Sequence, residues 1–323
     1  MMNLTWPTLE YSEWKDTYET LHRWTQIVGK LRLCKSPWCN HSWNTTLYVT
    51  SRGLSTSAIP LGQRNLTVDF DFHDHQLIFQ DSVGKSFVLL LQNETVASFY
   101  ERFLEALKIM DVEPNFDPVP NEVSDGIPFA EDTVHRTYDP LKAHNFFQAL
   151  VRVNNIFQEF RTDFVGKSSP VHFFWGSFDL AITRFSGRRA PEHPGGIPNL
   201  PNDVVREAYS HEEMSCGFWP GNEMYPHAAF YSYAYPEPDH FSKAKVMPPE
   251  AIYNQDLHEF ILPYETVRTS LEPAATLMSF LESSYRAAAN LGHWDRDMLE
   301  VSPYLYRLKE RVQFSFDDIR TEQ

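Results

Sequence analysis

The residues best suited to chemistry are concentrated between Val171 and Gly196, in the run VHFFWGSFDLAITRFSGRRAPEHPGG. Read as one strand, this run divides its side chains by parity. His172, Phe174, Phe178, Leu180 and Ile182 fall on one face, and Trp175, Ser177, Asp179, Ala181 and Thr183 on the other. The first set is the expected core face. The second is neither plain core nor plain solvent face. A strand near 230 adds Tyr231, Tyr233 and Tyr235 on one side of its own. If the two faces adjoin, Trp175, Tyr233 and Tyr235 wall a pocket holding one carboxylate, which is how small-molecule sites are built. The plainer alternative is that the tyrosines cover a seam between two halves of the chain.

Beside this strand, His193 lies in EHPGG and His211-Glu212 in YSHEE. Two imidazoles and a carboxylate suffice for a divalent iron, zinc or manganese centre, so His193, His211 and Glu212 are the metal candidates. Their spacing matches no HxH, HExxH or HxxxH pattern. Without metal, His211 and Glu212 near Asp179 would serve as general acid and base. Arg184, with Arg188 and Arg189, could anchor an anionic ligand group through a guanidinium fork, or could serve solubility alone. His172, parted from Asp179 by parity, is read as structural. Asp69, Asp71 and His73 alternate with Leu66, Val68, Phe70 and Phe72 and read as the solvated side of a half-buried strand. Cys216 reads as buried. Trp219, in CGFWPG, is placed at a sheet rim because Pro220 ends its strand, and it either plugs the core or overhangs the pocket.

Several elements must position these groups. Trp14, Tyr18, Leu21 and Val28 fall at helical spacing, and Gly29-Lys30 suggests a stop, predicting a helix over 12–28. Strands follow near 43–51, 65–73, 75–80 and 86–91, then a helix marked by Phe99, Phe103, Leu107 and Met110. The second half repeats the order: a helix through Phe146, Leu150, Val153 and Phe157, strands near 172–184, 215–219, 228–235 and 257–262, and a helix through Leu277, Phe280, Leu281 and Ala288. Val28-Gly29-Lys30 and Val165-Gly166-Lys167 mark corresponding points about 135 residues apart. Short connections imply antiparallel pairing. The expected fold is therefore α+β: a duplicated α-β4-α unit whose two antiparallel sheets are related by a pseudo-two-fold axis, with helices on one face. The repeats span 1–111 and 141–294, the second with an insertion at 186–212. A Pro-rich acidic linker covers 112–140, and 295–323 forms a C-terminal extension.

The 323 residues carry 28 Lys and Arg against 43 Asp and Glu, a net charge of −15. So acidic a surface repels a phosphate backbone, which argues against a nucleic-acid partner. The longest apolar run, Phe87 to Leu91, is far below the roughly 20 residues that span a bilayer, so no membrane partner is expected. The N-terminus lacks a basic and apolar leader pattern, and Cys34, Cys39 and Cys216 form no CxxC, so a reducing cytoplasm is the expected setting.

The strings HFFWGSFDLAITRFSGRRAPEHPGG, YSHE at 209–212, GFWPG at 217–221 and WKDTYETLHRWTQIVGK at 14–30 resemble a bacterial family catalogued only as a domain of unknown function (number 5996 in that series). The resemblance spans most of residues 6–295. It implies a bacterial, cytoplasmic protein and carries over no activity or cofactor. The function expected from the residues is an enzyme acting on a small polar or aromatic metabolite, with Asp179, His211 and Glu212 as the acid-base groups. Arg184 is its expected anchor, with Trp175, Trp219, Tyr233 and Tyr235 as walls. The competing class is a non-catalytic small-molecule-binding or protein-interaction module.

Overall fold

The computed structural model describes residues 5–123, 125–196 and 200–301. The first helix, α1 (Tyr11–Lys35), buries Trp14, Leu21, Trp24, Ile27, Val28 and Leu31. It runs straight through the expected stop at Gly29. A Cβ on Gly29 would lie 2.2 Å from the Trp175 indole, so this glycine admits a close approach and does not end the helix. The helix ends where Pro37 forces Ser36 into the extended region.

Six strands follow: β1 (Tyr48–Val49), β2 (Gly53–Ser55), β3 (Ile59–Leu61), β4 (Arg64–Asp71), β5 (Gln76–Asp81) and β6 (Ser86–Leu90). They form an antiparallel sheet of order β1-β2-β4-β5-β6, with β3 paired to β4. On β4, Leu66, Val68 and Phe70 are buried as alternation predicts. Asp71 departs from the expected solvated face. It is buried, paired with Arg52, and accepts the backbone N–H of His73 at 2.8 Å, closing the turn into β5. Helix α2 (Val96–Ile109) is capped by the Thr95 hydroxyl, and α3 (Pro140–Thr162) by the Asp139 carboxylate.

The second sheet contains β7 (His172–Phe174), β8 (Asp179–Arg189), β9 (His211–Trp219), β10 (Ala229–Tyr235), β11 (Ile252–Asn254) and β12 (Glu259–Pro263), in the antiparallel order β11-β12-β10-β9-β8-β7. Helix α4 (Asn202–Ala208) precedes β9, and α5 (Tyr264–Arg268), α6 (Pro273–Leu291) and α7 (Arg296–Leu299) complete the described chain. The class is α+β. Each sheet has six strands, where four were expected, because short strands β2, β3 and β11 and the split at β7 and β8 escape periodicity. The first sheet follows the chain along its main path, whereas in the second β12 lies beside β10 and puts β11 at the outer edge; Leu47 bridges Phe173 to join the two sheets. Only the runs β4-β5-β6 and β7-β8-β9-β10 follow the chain in both, which does not demonstrate an internal duplication.

Three further expectations change. The run 172–184 is a hairpin, turning at 175–178 with Phe178 at φ 60°. His172 pairs with Ala181 and Phe174 with Asp179, so the turn re-phases the strand and puts His172 and Phe174 on Asp179's face. Residues 112–123 and 125–140, expected as a linker, form a strap laid on α1. Gln26 bonds the Asn121 backbone at 2.7 and 2.8 Å, Arg23 pairs with Asp125, and Phe129 and Asp132 are buried. Finally, helices do not all lie on one face of the second sheet: α3 and α6 cover one side, while α4 and the strap approach the other. Within the former insertion, β8 extends to Arg189 and β9 starts at His211. Residues 302–323 of the expected extension lie outside the described residues.

Candidate functional site

The face of the second sheet turned away from α3 and α6 floors a cavity of about 1130 Å³, closed by α4, the strap and the C-terminal half of α1. The ladder registers arrange its floor in rows. Ala181, Gly217 and Tyr231 form one row, Thr183, Ser215 and Tyr233 the next, and Phe185, Glu213 and Tyr235 the third. Gly217 is essential to this pattern. A Cβ there would lie 2.3 Å from the Tyr231 hydroxyl, so its absence lets the Tyr231 ring cross β9 from β10 and donate to Asp179 on β8. The Ser177 hydroxyl donates to the other oxygen of Asp179.

Burial raises the Asp179 carboxyl above its ordinary range, while the Ser177 and Tyr231 hydroxyls oppose that rise by stabilising the charged form. Glu259 is pushed up to about 8, first by desolvation and then by the negative field of Asp179. Glu213 is 6% exposed and sits well above the usual carboxylate range because it is buried, with Lys167 countering from a distance. Among the described residues none hydrogen-bonds or pairs directly with the Glu213 carboxyl. Between these groups the Tyr209 and Tyr233 hydroxyls are 3.1 Å apart, and the Tyr231 and Tyr233 rings stack at 6.1 Å.

Sequence reasoning missed His41, which lines the cavity and is backed by Lys167 outside the lining. His41, on a short turn at φ 59°, sits with Nδ1 2.7 Å from the Ala208 carbonyl and Nε2 2.6 Å from Lys167 Nζ. Because an ammonium only donates, Nε2 accepts and Nδ1–H donates, which fixes the neutral tautomer. Burial lowers the pKa of both groups. Lys167 lies over the Phe185 and Trp43 rings at 4.8 and 5.2 Å. Lys30 lines the opposite wall and donates to Asn121 Oδ1 at 2.5 Å.

Trp175, Trp219, Asp179 and Tyr233 all line the cavity. Trp175 is fixed by its indole N–H to the Thr45 carbonyl at 2.6 Å, and Trp219 stacks on Tyr225 at 5.9 Å at the rim. The other expected site residues are elsewhere. Tyr235 is outside the lining and holds the segment that follows β8, its hydroxyl donating to the Pro191 carbonyl at 3.1 Å. Arg184 is 1% exposed on the helix side of the sheet, its guanidinium 3.4 Å from the Phe160 ring centre and near Glu282. It cannot anchor a ligand in a cavity on the opposite face. Parity already separated Arg184 from Asp179.

His211 is not an acid-base partner of Asp179. It pairs with Arg189 at the far end of the β8–β9 ladder, and eight residues of β9 separate its row from Trp219, the neighbour of Asp179, roughly 26 Å of strand. Its imidazole contacts Ser210 at 3.1 Å and faces His41 at 6.1 Å between ring centres. Glu212 projects to the other face of β9 and is held by Arg188 at 2.6 Å and Ser186 at 2.8 Å. His193 stacks on Tyr209 at 4.7 Å and accepts the Gly195 N–H. The proposed metal triad is thus dispersed, and among the described residues no group of three or more His, Cys, Asp or Glu is set to hold a metal ion.

A signal for Glu213 was present: Glu213, Ser215, Gly217 and Trp219 alternate with buried Met214, Cys216 and Phe218. His41 and Lys167 gave none, because only tertiary folding brings their turns together. No curated protein and no solved structure matches the chain. A family model matches residues 6–301, and the chain belongs to the family of unknown function DUF5996.

Proposed function

We propose that the protein is an enzyme acting on a small polar molecule held in this cavity, with Asp179 and Glu259 as its acid-base groups. One observation carries the reading: two carboxyls in different environments share an aromatic-walled cavity. Asp179 receives two hydroxyl donors that favour its anion, whereas Glu259, pushed up to about 8, keeps its proton near neutral pH. Carboxyl groups with different proton affinities are the usual basis for assigning a base and an acid. Trp43, Trp175 and Trp219 in the wall supply an optical signal for occupancy.

A metabolite panel read by tryptophan fluorescence, followed by mass spectrometry of each quenching compound, tests the reading. Asp179→Asn is expected to retain binding while slowing conversion by about a hundredfold, the scale of general acid-base catalysis. Conversion at the wild-type rate by this variant would overturn the assignment. A non-catalytic binding role is the second reading. It is favoured by the commitment of both Asp179 oxygens to Ser177 and Tyr231, and it predicts quenching without conversion of any compound.

A further inference from the structure

The cavity wall has one charge sign in excess. Asp117, Glu122, Asp179, Glu213, Asp256 and Glu259 line it, and Lys30 is the one lysine or arginine among the lining residues. Lys30 is already engaged by Asn121. Acidic residues alone would not define a site, since charged side chains commonly face water. Glu213 is different: it is more than nine-tenths buried, lines the cavity, and has no hydrogen bond or ion pair from any described residue. A buried carboxyl without a partner costs free energy that a donor entering the cavity would recover.

The registers give the distance to a second carboxyl of the wall, Glu259, which is half-buried. Glu213 pairs with Tyr235 on β10, and Ser232 pairs with Phe260 on β12, one position after Glu259. Two strand spacings across and two residues along separate the backbones of Glu213 and Glu259 by about 12 Å. Tyr233 stands on the intervening strand in the row of Glu259, where its ring can meet a methylene chain or positive charge, and Tyr231 stacks beside it at 6.1 Å.

We propose that the cavity's ligand is a linear aliphatic polyamine, with one cationic nitrogen at Glu213 and another at Glu259, its chain passing over Tyr233. This assignment names the substrate class of the proposed site and rests on that reading. Neither a metal nor a covalent step is required. The aromatic floor contributes dispersion and cation–π attraction, and the carboxyl at each end sets the length.

Spermidine, neutral octanediol and anionic suberate, of comparable chain length, test the assignment by tryptophan quenching of the whole protein at fixed ionic strength. Spermidine is expected to quench saturably, and octanediol and suberate to bind at least tenfold more weakly. A cationic nitrogen beside either carboxyl favours its ionised form, so binding ionises Glu213 and Glu259, and Glu213→Gln and Glu259→Gln should each weaken spermidine by roughly tenfold, the loss of one charge-assisted contact. Equal binding of octanediol or suberate, or an unchanged spermidine affinity in both variants, would overturn the amine assignment. So would absence of spermidine quenching, and the wild-type series decides even if a variant fails to fold. A neutral or anionic metabolite quenching the same tryptophans would remove the amine and leave the cavity reading standing. Spermidine quenching that persists while Asp179→Asn has no effect on conversion would do the reverse.

Discussion

Glu259 makes the sign of its own pH dependence explicit. Its carboxyl is held at about 8 in the fold against about 4.5 in the unfolded chain, so between these values the folded state binds more protons. Stability contributed by its neutral form is present below pH 4.5 and is lost as pH rises through 8. A Glu259→Gln protein stays neutral throughout, so its stability relative to the wild type should grow from pH 5 to pH 8 by about 1–2 kcal/mol, after discounting for partial solvent screening. Urea unfolding at the two pH values measures this, and an identical difference at both would show that Glu259 is not held protonated. Trp219 is the other residue whose role separates under mutation. It is partly exposed and stacked only at the rim on Tyr225, so Trp219→Ala should cost no more than about 1 kcal/mol, against the 3–5 kcal/mol of a core aromatic. Ligand quenching should fall with it. A variant that fails to fold would make Trp219 a core plug.

The strands of the second sheet carry the site because their pleat sorts side chains to two environments. On β9, Met214, Cys216 and Phe218 enter the core against the helices, and Glu213, Ser215 and Trp219 face the cavity, with Gly217 between them. Alternation of this kind is readable in the sequence, as is the rim position of Trp219. The hairpin at 175–178 was not readable, because Trp175-Gly176-Ser177-Phe178 continues an apolar pattern and the left-handed φ falls on Phe178, a residue that gives no compositional cue. Gly29 misled for a related reason: a helix stop and a close-approach glycine look alike until Trp175 is seen on it. Gly217 provides a test at this scale. Its substitution by alanine drives a methyl into the Tyr231 ring and breaks the bond to Asp179, at an expected cost of about 1–3 kcal/mol. In a Tyr231→Ala background the same substitution should be nearly neutral. Equal costs in the two backgrounds, read by urea unfolding, would mean that Gly217 is not there to admit the tyrosine.

At the scale of the molecule, the two halves share more than an edge bridge. Trp14 and Tyr18 of α1 pack on Phe146 of α3 and Phe178 of the second sheet, at ring separations of 5.1 and 5.0 Å. Phe146 in turn stacks on Phe178 at 5.1 Å, so a helix from the first half closes the core of the second. The strap adds an ionic lock around buried Arg23, which pairs with Glu19, Asp125 and the buried Asp132, and Asp132 is hydrogen-bonded to His135. Removing one partner from such a network leaves the other charge buried, which makes the strap part of the folding unit. Two domains read from a repeat in the sequence would unfold separately, whereas one continuous core must unfold together. Thermal unfolding followed by circular dichroism and by tryptophan fluorescence should therefore give a single coincident transition. A fragment of residues 141–301 should fail to unfold cooperatively, since it lacks the α1 aromatics that cover Phe146 and Phe178. Two resolved transitions, or a cooperatively folded fragment, would restore the two-domain organisation that the repeated order of elements suggests.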